Sequence, residues 1–486
     1  MAVALENPKI LRLSEGGHDD ASEGIDRISN LPESILHHIF SLVEDTLDVI
    51  TASAVSRKWR YIWLSMPSLA FSTFHKIWSD KRKTLSFHKV NEEFKDFVNW
   101  VLMSQNSSIT VQSFCLCGYI HESDDYTLYR WMSVLADRKL QELGLMVFSD
   151  GPVELLHFLV SCESLVYFKF VFGLHEVLKL PSSAGFVGLN MLSLMNVKFL
   201  DCVSFRTFIS NCPVLEHLNL LACVFSDMKI LDIASVSLKS LVIDNGYPDP
   251  GGDGLRNCEL KVTCPGLVSF YYNSPLAKDF LLQDLNSLED IFLSIDSLTE
   301  YGVVNDCHHI MHKVFKGISN ITVLKLPAAL EMLCLEYLYL TLAHPECFKT
   351  SFCNLKSLKL ILIPNDQSMN LMVGLLNCFP NLEALTICFA WYETVEFSVE
   401  DIPNPSVTYH LKMVELLEVR GGKNELEFMR FLLKHGRALD GMSISWAADI
   451  KDPKDITSEI MKFPRTSSTV VLKFLQLKSE VDVSRL

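Results

Sequence analysis

The chain has little positive charge for its size. It carries 43 Lys and Arg residues against 58 Asp and Glu residues, for a formal net charge of -15 at neutral pH. A dedicated nucleic-acid binder needs a basic surface, so this composition argues against such a partner. The sequence also lacks a Walker loop and the G-x-S-x-G and H-E-x-x-H motifs. We therefore expect neither a catalytic site nor a cofactor.

Long uninterrupted apolar runs are missing as well, although hydrophobic residues make up 49% of the chain. The most apolar stretch, residues 326–343, carries Glu331 and Glu336 near its middle, and each would cost about 2.5 kcal/mol in a bilayer. The first two dozen residues are acidic and lack the apolar core of a signal peptide. These features predict no membrane association and a cytoplasmic location, a nuclear location, or both.

None of the 14 cysteines forms a C-x-x-C pair, and an intracellular location disfavours disulfides. A reactive thiol needs a base or a cation beside it, whereas a small apolar side chain suits each turn of a stacked core. Five cysteines recur two to four residues before a leucine ladder, which favours the packing interpretation. They are Cys162, Cys212, Cys264, Cys353 and Cys378.

The stretch from Cys307 to His312 is the best candidate for a metal site. His308 and His312 would share one face of a helix. No third ligand is evident in the sequence, so we expect a solvated helix or loop there and no metal.

A leucine-rich repeat stands out at residues 215–223, where LEHLNLLAC matches the pattern L-x-x-L-x-L-x-x-(N/C). One such unit cannot bury its own leucines, but stacked parallel strands form a continuous core along a solenoid. The sequence therefore predicts an α/β fold with a leucine-rich-repeat solenoid. Weaker copies begin at Val111, Leu140, Leu165, Leu189, Leu238, Leu267, Leu288, Ile321, Leu355, Leu382 and Leu411.

Residues that alternate with the buried leucines must face outward on the strand-lined concave side. Aromatic residues among polar ones are typical of a protein-binding surface. The alternative for any single residue is that it only covers a neighbouring strand. The candidate target-binding residues are Tyr167, His217, Asn219, Tyr271, Tyr337 and Tyr339.

Residues 25–63 have the pattern of a small helical module. Pro32 suits a first helical turn, and a second helical pattern runs from Val49 to Ile62. Apolar residues between Leu31 and Val43 cover more than one stripe of a helix. A partner should therefore cover part of this surface.

The opening Leu31-Pro32-Glu33 and the closing VSRKWRYIW at residues 55–63 resemble an F-box. This resemblance implies docking on the Skp adaptor of a cullin-RING ubiquitin ligase. Residues 43–46 lack the Leu-Pro usual in that family between the first two helices. For Trp59, the alternative is a place in the module's own core. The resemblance implies adaptor contacts by Leu31, Pro32, Ile35 and Ile39, with support from Val55 and Trp59.

The pattern changes after residue 396. Residues 411–416 predict a strand, and residues 426–433 predict an apolar helix that Asn424 caps and Gly436 ends. The stretches GMSISW and FPRTSSTVVLKF are strand-like. The words NELEFMRFLLK and FPRTS resemble the FBD domain that follows F-box and leucine-rich repeats in many plant proteins. We expect this segment to cap the solenoid.

The sequence thus predicts an N-terminal helical F-box, a leucine-rich-repeat solenoid and an FBD-like α/β cap. The predicted segments are an acidic tail at 1–22, the F-box at 23–66, a helical linker at 67–104, the solenoid at 105–395 and the cap at 396–486. The resemblance implies a non-catalytic substrate receptor of an SCF-type (Skp-cullin-F-box) ligase with an unknown protein target. Two alternatives stay open, a small-molecule-dependent co-receptor in such a ligase and a non-degradative binding scaffold.

Overall fold

The protein was analysed as a computed structural model. It describes residues 28, 31–57, 59–120, 125–149, 151–154, 162–181, 185–246, 255–296, 307–326, 352–362, 372–373, 376, 379–389, 410–450 and 452–476. The chain divides into two compact units, Met1–Met66 and Pro67–Leu486.

The first unit contains helix α1 (Glu33–Ser41), helix α2 (Thr46–Ser53) and a 3-10 turn at Ile62–Ser65. Pro32 is the N-cap of α1 rather than part of its first turn. The prediction of one helical pattern from Val49 to Ile62 is wrong, because α2 ends at Ser53. The Ser53 hydroxyl donates a hydrogen bond to the Ile50 carbonyl at 2.6 Å, which competes with the backbone bonds that would continue the helix.

Asp45 explains how α2 begins without the usual Leu-Pro. Its carboxylate accepts a hydrogen bond from the backbone N–H of Leu47 at 2.8 Å and so caps the helix. The imidazole of His37 lies 2.9 Å from the Ser65 hydroxyl, which ties α1 to the 3-10 turn. This first unit is therefore held together by polar contacts at its ends as well as by buried apolar side chains.

The second unit is built around one large sheet, in which sixteen of the described strands pair in parallel. Its order is β1-β2-β3-β5-β6-β7-β9-β11-β13-β14-β15-β16-β17-β18-β19, with β4 beside β5, and β8, β10 and β12 form a separate small sheet. The strands are β1 Ser68–Ser72, β2 Ser113–Tyr119, β3 Glu142–Phe148, β4 Val153–Glu154, β5 Tyr167–Lys179, β6 Met191–Lys198, β7 His217–Leu221, β8 Ile230–Ala234, β9 Ser240–Asp244, β10 Glu259–Thr263, β11 Ser269–Pro275, β12 Asp279–Gln283, β13 Asp290–Asp296, β14 Val323–Leu326, β15 Ser357–Leu362, β16 Ala384–Phe389, β17 Met413–Val419, β18 Gly441–Trp446 and β19 Val471–Gln476.

The helices of the second unit are α3 Lys76–Lys81, α4 Phe87–Ser104, α5 Asp125–Asp137, α6 Cys202–Ser210, α7 Cys307–Gly317, α8 Lys423–His435 and α9 Lys454–Met461. Helix α4 buries Val90, Phe94, Val98 and Val101, a spacing that keeps one face toward the core. The segment 67–104, expected to be a helical linker, also contains β1, which pairs with β2 of the large sheet.

The core of the second unit is the stack of leucine ladders. Every predicted repeat start is buried, from Val111 at 0% exposure to Leu382 at 4%. Each start lies just before the first residue of a strand. In the strand that follows, alternate residues point inward. The predicted leucine-rich-repeat architecture is confirmed.

The C-terminal strands extend the same sheet through β17, β18 and β19. Helix α8 ends at Gly436, as the sequence predicts, but its N-cap is Gly422 and not Asn424. The buried Glu425 side chain replaces the missing cap, because its Oε2 atom accepts hydrogen bonds from the backbone N–H groups of Arg420, Gly421 and Gly422 at 2.7 to 3.0 Å. Helix α9 was not anticipated from the sequence.

The cysteine prediction is confirmed for Cys162, Cys212 and Cys264, whose side chains are buried. It is wrong for Cys353, which is exposed. The buried position lies three residues before the first leucine of the ladder, and in that repeat Phe352 occupies it at 1% exposure. The fifth cysteine, Cys378, lies outside the described residues.

Candidate functional site

The first unit carries a cluster of exposed apolar side chains, here called the F-box apolar surface. Ile35 and Ile39 of α1 are 46% and 40% exposed, and Val55 after α2 is 80% exposed. Leu36 and Phe40 of the same helix are buried, so α1 has an inner apolar side and an outer one. Sequence reasoning did not single out two further members of this surface, Leu42 and Tyr61, which are 72% and 67% exposed.

The remaining predicted adaptor contacts differ in their surroundings. Pro32 is exposed and Leu31 is half-buried. Trp59 is also half-buried, and its ring meets the Phe40 ring edge to face with centroids 5.6 Å apart. The packing alternative for Trp59 therefore has direct support, because this contact lies inside the first unit.

The second surface is the open face of the large sheet, formed by the strand residues that alternate with the buried ladder. In β7, Leu218 and Leu220 are fully buried, whereas His217 and Asn219 are half-buried on the opposite side. Successive residues of a strand point to opposite faces. The alternation predicted from the sequence is therefore present in the strands that carry the candidate residues.

The parallel register brings the predicted target-binding residues into two rows on the open face. Tyr167 and His217 stand in one row, with Met191 of β6 between them. Asn219 and Tyr271 stand in the other row, with Val242 of β9 between them. These four residues thus lie within the five neighbouring strands β5, β6, β7, β9 and β11. Their sequence positions nevertheless span more than one hundred residues.

Tyr271 lies against Phe292 of the next strand, and their rings are parallel with centroids 4.2 Å apart. Partial burial raises the pKa of the Tyr167 phenol, so Tyr167 is a neutral hydrogen-bonding group near neutral pH. Tyr337 and Tyr339, also predicted on this face, lie outside the described residues.

The charges on the open face include a residue that sequence reasoning missed. Lys325 of β14 stands next to Phe292 in the parallel register, and its Nζ donates a hydrogen bond to Asp290 at 3.0 Å. The next residue in the row is Lys359 of β15. The period-two pattern of β14 could have identified Lys325, because it lies one residue after the buried Leu324.

A polar cleft of about 400 Å³ lies away from these residues, beside the starts of β14 to β17. Within it, Glu383 pairs with Lys412 at 2.8 Å and lies 3.9 Å from Lys356. None of the predicted site residues that the structure describes lines this cleft. Its lining comprises Asn320, Thr322, Cys353, Asn354, Lys356, Asn381, Glu383, His410 and Lys412.

The histidine-rich stretch forms the first turns of α7, which runs from Cys307 to Gly317. Across the described ranges, no group of three or more His, Cys, Asp and Glu side chains is placed to hold a metal ion. Among the residues that the structure describes, no helix combines the length and apolar character needed to cross a membrane.

Comparison with known families matches three segments of the chain in order. Residues 28–69 match the F-box-like family model, and residues 405–444 match the FBD model. Residues 128–249 match the model described as "FBD-associated F-box protein At5g56370, LRR repeats". The chain thus carries F-box-like, leucine-rich-repeat and FBD segments in that order.

Individual relatives resemble the chain over most of its length. The F-box/FBD/LRR-repeat protein At1g78750 of Arabidopsis thaliana is 29% identical over 472 residues, which cover 92% of this chain and 96% of the relative. F-box/LRR-repeat protein 13 of the same plant is 25% identical, with 93% and 97% covered. F-box protein At3g59000 of the same plant is 27% identical, with 86% of both chains covered.

Proposed function

We propose that this chain is the substrate-recognition subunit of an SCF-type E3 ubiquitin ligase. Its F-box docks on a Skp-type adaptor, and through that adaptor the chain joins a cullin-RING ligase. Its repeats capture a protein target. The chain itself contributes no catalytic group, and the ubiquitin-charged enzyme supplies the chemistry.

The observation that supports adaptor docking is the F-box apolar surface. Ile35, Ile39 and Leu42 follow one another at helical spacing and are each at least 40% exposed. Contiguous apolar side chains on a small module are costly to leave in water and are typical of a partner surface. Their burial by a helical adaptor would offset that cost at roughly 25 cal/mol per Å² of apolar area.

The role of the repeats in this proposal is positional. The lysines of a target held on the chain stay near the ubiquitin-charged enzyme. Ubiquitin transfer therefore takes place at a high effective concentration of target lysines. The residues proposed to hold the target are Tyr167, His217, Asn219 and Tyr271 on the open face, together with Tyr337 and Tyr339 on the strength of the sequence alone. Half-buried aromatic and polar side chains on a rigid sheet suit such a role, since they lose little conformational freedom on binding.

Copurification tests the adaptor assignment. We expect Leu31→Ala combined with Pro32→Ala to abolish copurification of the full chain with a Skp-type adaptor. Far-ultraviolet circular dichroism and the melting curve of the second unit should stay as in the wild type. The matched control is Val236→Ala, because Val236 is 81% exposed in the second unit.

Wild-type adaptor binding by the double variant would contradict the assignment of Leu31 and Pro32. Failure of the wild-type chain itself to bind any Skp-type adaptor would contradict the proposed function as a whole.

A further inference from the structure

Four side chains stand next to one another in one row of the open face. Tyr271 of β11 pairs in register with Phe292 of β13, Phe292 with Lys325 of β14, and Lys325 with Lys359 of β15. Neighbouring strands lie about 4.8 Å apart, so the row extends over roughly 14 Å across the sheet. We call these four residues the aromatic-lysine row.

The aromatic half of the row is a flat apolar surface. The rings of Tyr271 and Phe292 are tilted by 9° from parallel at a centroid distance of 4.2 Å. Both residues are half-buried, so each keeps part of its surface open to solvent. Such a preformed pair of rings can take an apolar or aromatic side chain without rearrangement.

The lysine half of the row has one cation more than it has carboxylates. Lys325 is paired with Asp290 at 3.0 Å. Lys359 forms no ion pair with any of the residues that the structure describes. The carboxylate on its other side, Glu415, lies two strands away and accepts a hydrogen bond from Thr386 at 3.4 Å.

Two lysines on neighbouring strands repel each other, and a single carboxylate neutralises one of them. An anionic group brought to Lys359 would relieve that repulsion and form a charge-assisted hydrogen bond. The positive excess is local, because the chain as a whole has a net charge of -15. The row therefore favours a ligand with negative charge at one end and apolar surface at the other.

We propose that the target presents an acidic segment to the aromatic-lysine row. Its carboxylate or phosphate group pairs with Lys359, and an apolar or aromatic side chain lies on Tyr271 and Phe292. The centre of the ring pair is about two and a half strand spacings from Lys359, or roughly 12 Å. An extended chain advances about 3.3 Å per residue, so the two groups are three to four residues apart. This inference rests on the proposed function and names the chemistry of the target segment.

Selection from a random peptide library displayed on phage tests the inference, with the purified full chain bound to its adaptor as bait. We expect the recovered peptides to carry Asp or Glu three or four residues from Phe, Tyr, Trp or Leu. Fluorescence anisotropy of one recovered peptide then compares variants of the row. Lys359→Gln should weaken binding by roughly tenfold or more, since a hydrogen bond between charged groups is lost.

Lys473→Gln is the matched control, because Lys473 is exposed in the corresponding row of β19, an edge strand of the sheet. It should leave the affinity unchanged, and Tyr271→Ala should weaken it. Raising the salt concentration should weaken the wild type more than Lys359→Gln. A second peptide carries phosphoserine in place of the acidic residue. Tighter binding of this peptide would indicate a phosphorylated target, and tighter binding of the first would indicate an acidic one.

The inference is wrong if the recovered peptides show no enrichment of an acidic residue near an apolar one, or if the library yields no binder. It is also wrong if Lys359→Gln binds the peptide as tightly as the wild type. Adaptor binding, measured on the same samples, separates the two proposals. If the chain still binds the adaptor but selects no acidic peptides, this inference is refuted and the proposed function is not.

Discussion

Replacing Leu220 by alanine should destabilise the second unit far more than the same change at its sequence neighbour Asn219. The Leu220 side chain is fully buried, and its register partners Leu194 and Ile243 are 1% and 0% exposed. Truncation removes buried methyl groups and leaves a cavity that rigid neighbouring strands cannot close. That loss should lower the free energy of unfolding by about 2 to 5 kcal/mol.

Asn219 is the internal control, since it lies one residue away on the open face of the same strand. Asn219→Ala should change the free energy of unfolding by no more than about 0.5 kcal/mol. Urea denaturation followed by circular dichroism measures both. Equal losses, or a larger loss at Asn219, would refute the assigned register, because a one-residue slip exchanges the two faces of a strand.

Three further predictions follow from individual residues. Burial raises the pKa of the Cys212 and Cys264 thiols to about 11. Iodoacetamide should therefore label them only after unfolding. Rapid labelling of the native protein, measured by mass spectrometry, would refute the packing role. Burial also raises the pKa of Glu425 above its ordinary 4.5. The stability that this shift contributes is present below the ordinary pKa and is lost as pH rises through the folded-state pKa. The unfolding free energy of the wild type minus that of Glu425→Gln should therefore fall as pH rises above about 4, and a rise would contradict this. Gly421 has a φ of +81°, and an added Cβ would lie 2.6 Å from a neighbouring side chain. Gly421→Ala should therefore lower the free energy of unfolding by about 1 to 3 kcal/mol in urea denaturation. Gly422→Ala, where the nearest atom is 3.9 Å away, should cost less, and equal losses from the two variants would contradict the strain assigned to Gly421.

The elements that the sequence predicts well are those whose signal is local. The leucine that starts each repeat is recognisable because burial depends on spacing within one short segment, as at Leu215 and Leu238. The apolar helix of the C-terminal segment is recognisable for the same reason, since Gly436 ends it. The exposed position of Cys353 could also have been predicted by counting back three residues from Leu355.

Features that depend on distant partners were not predictable in this way. The strand β1 is five residues long and is fixed by pairing with β2, which lies about forty residues further along the chain. Lys325 and Asp290 meet only because β13 and β14 are neighbours. The aromatic-lysine row likewise arises from register across four strands, a property that no single repeat carries.

Binding of a purified Skp-type adaptor to the full chain tests the central proposal most directly, with Val55→Asp compared with Val236→Asp. The two valines are 80% and 81% exposed, so a charge at either position should leave folding unchanged. If the F-box apolar surface docks the adaptor, Val55→Asp should weaken binding by on the order of 2 kcal/mol, and Val236→Asp should bind like the wild type. Equal adaptor affinity for the wild type and both variants would contradict the assignment of Val55 to that interface, and absence of adaptor binding by the wild type would contradict the account itself.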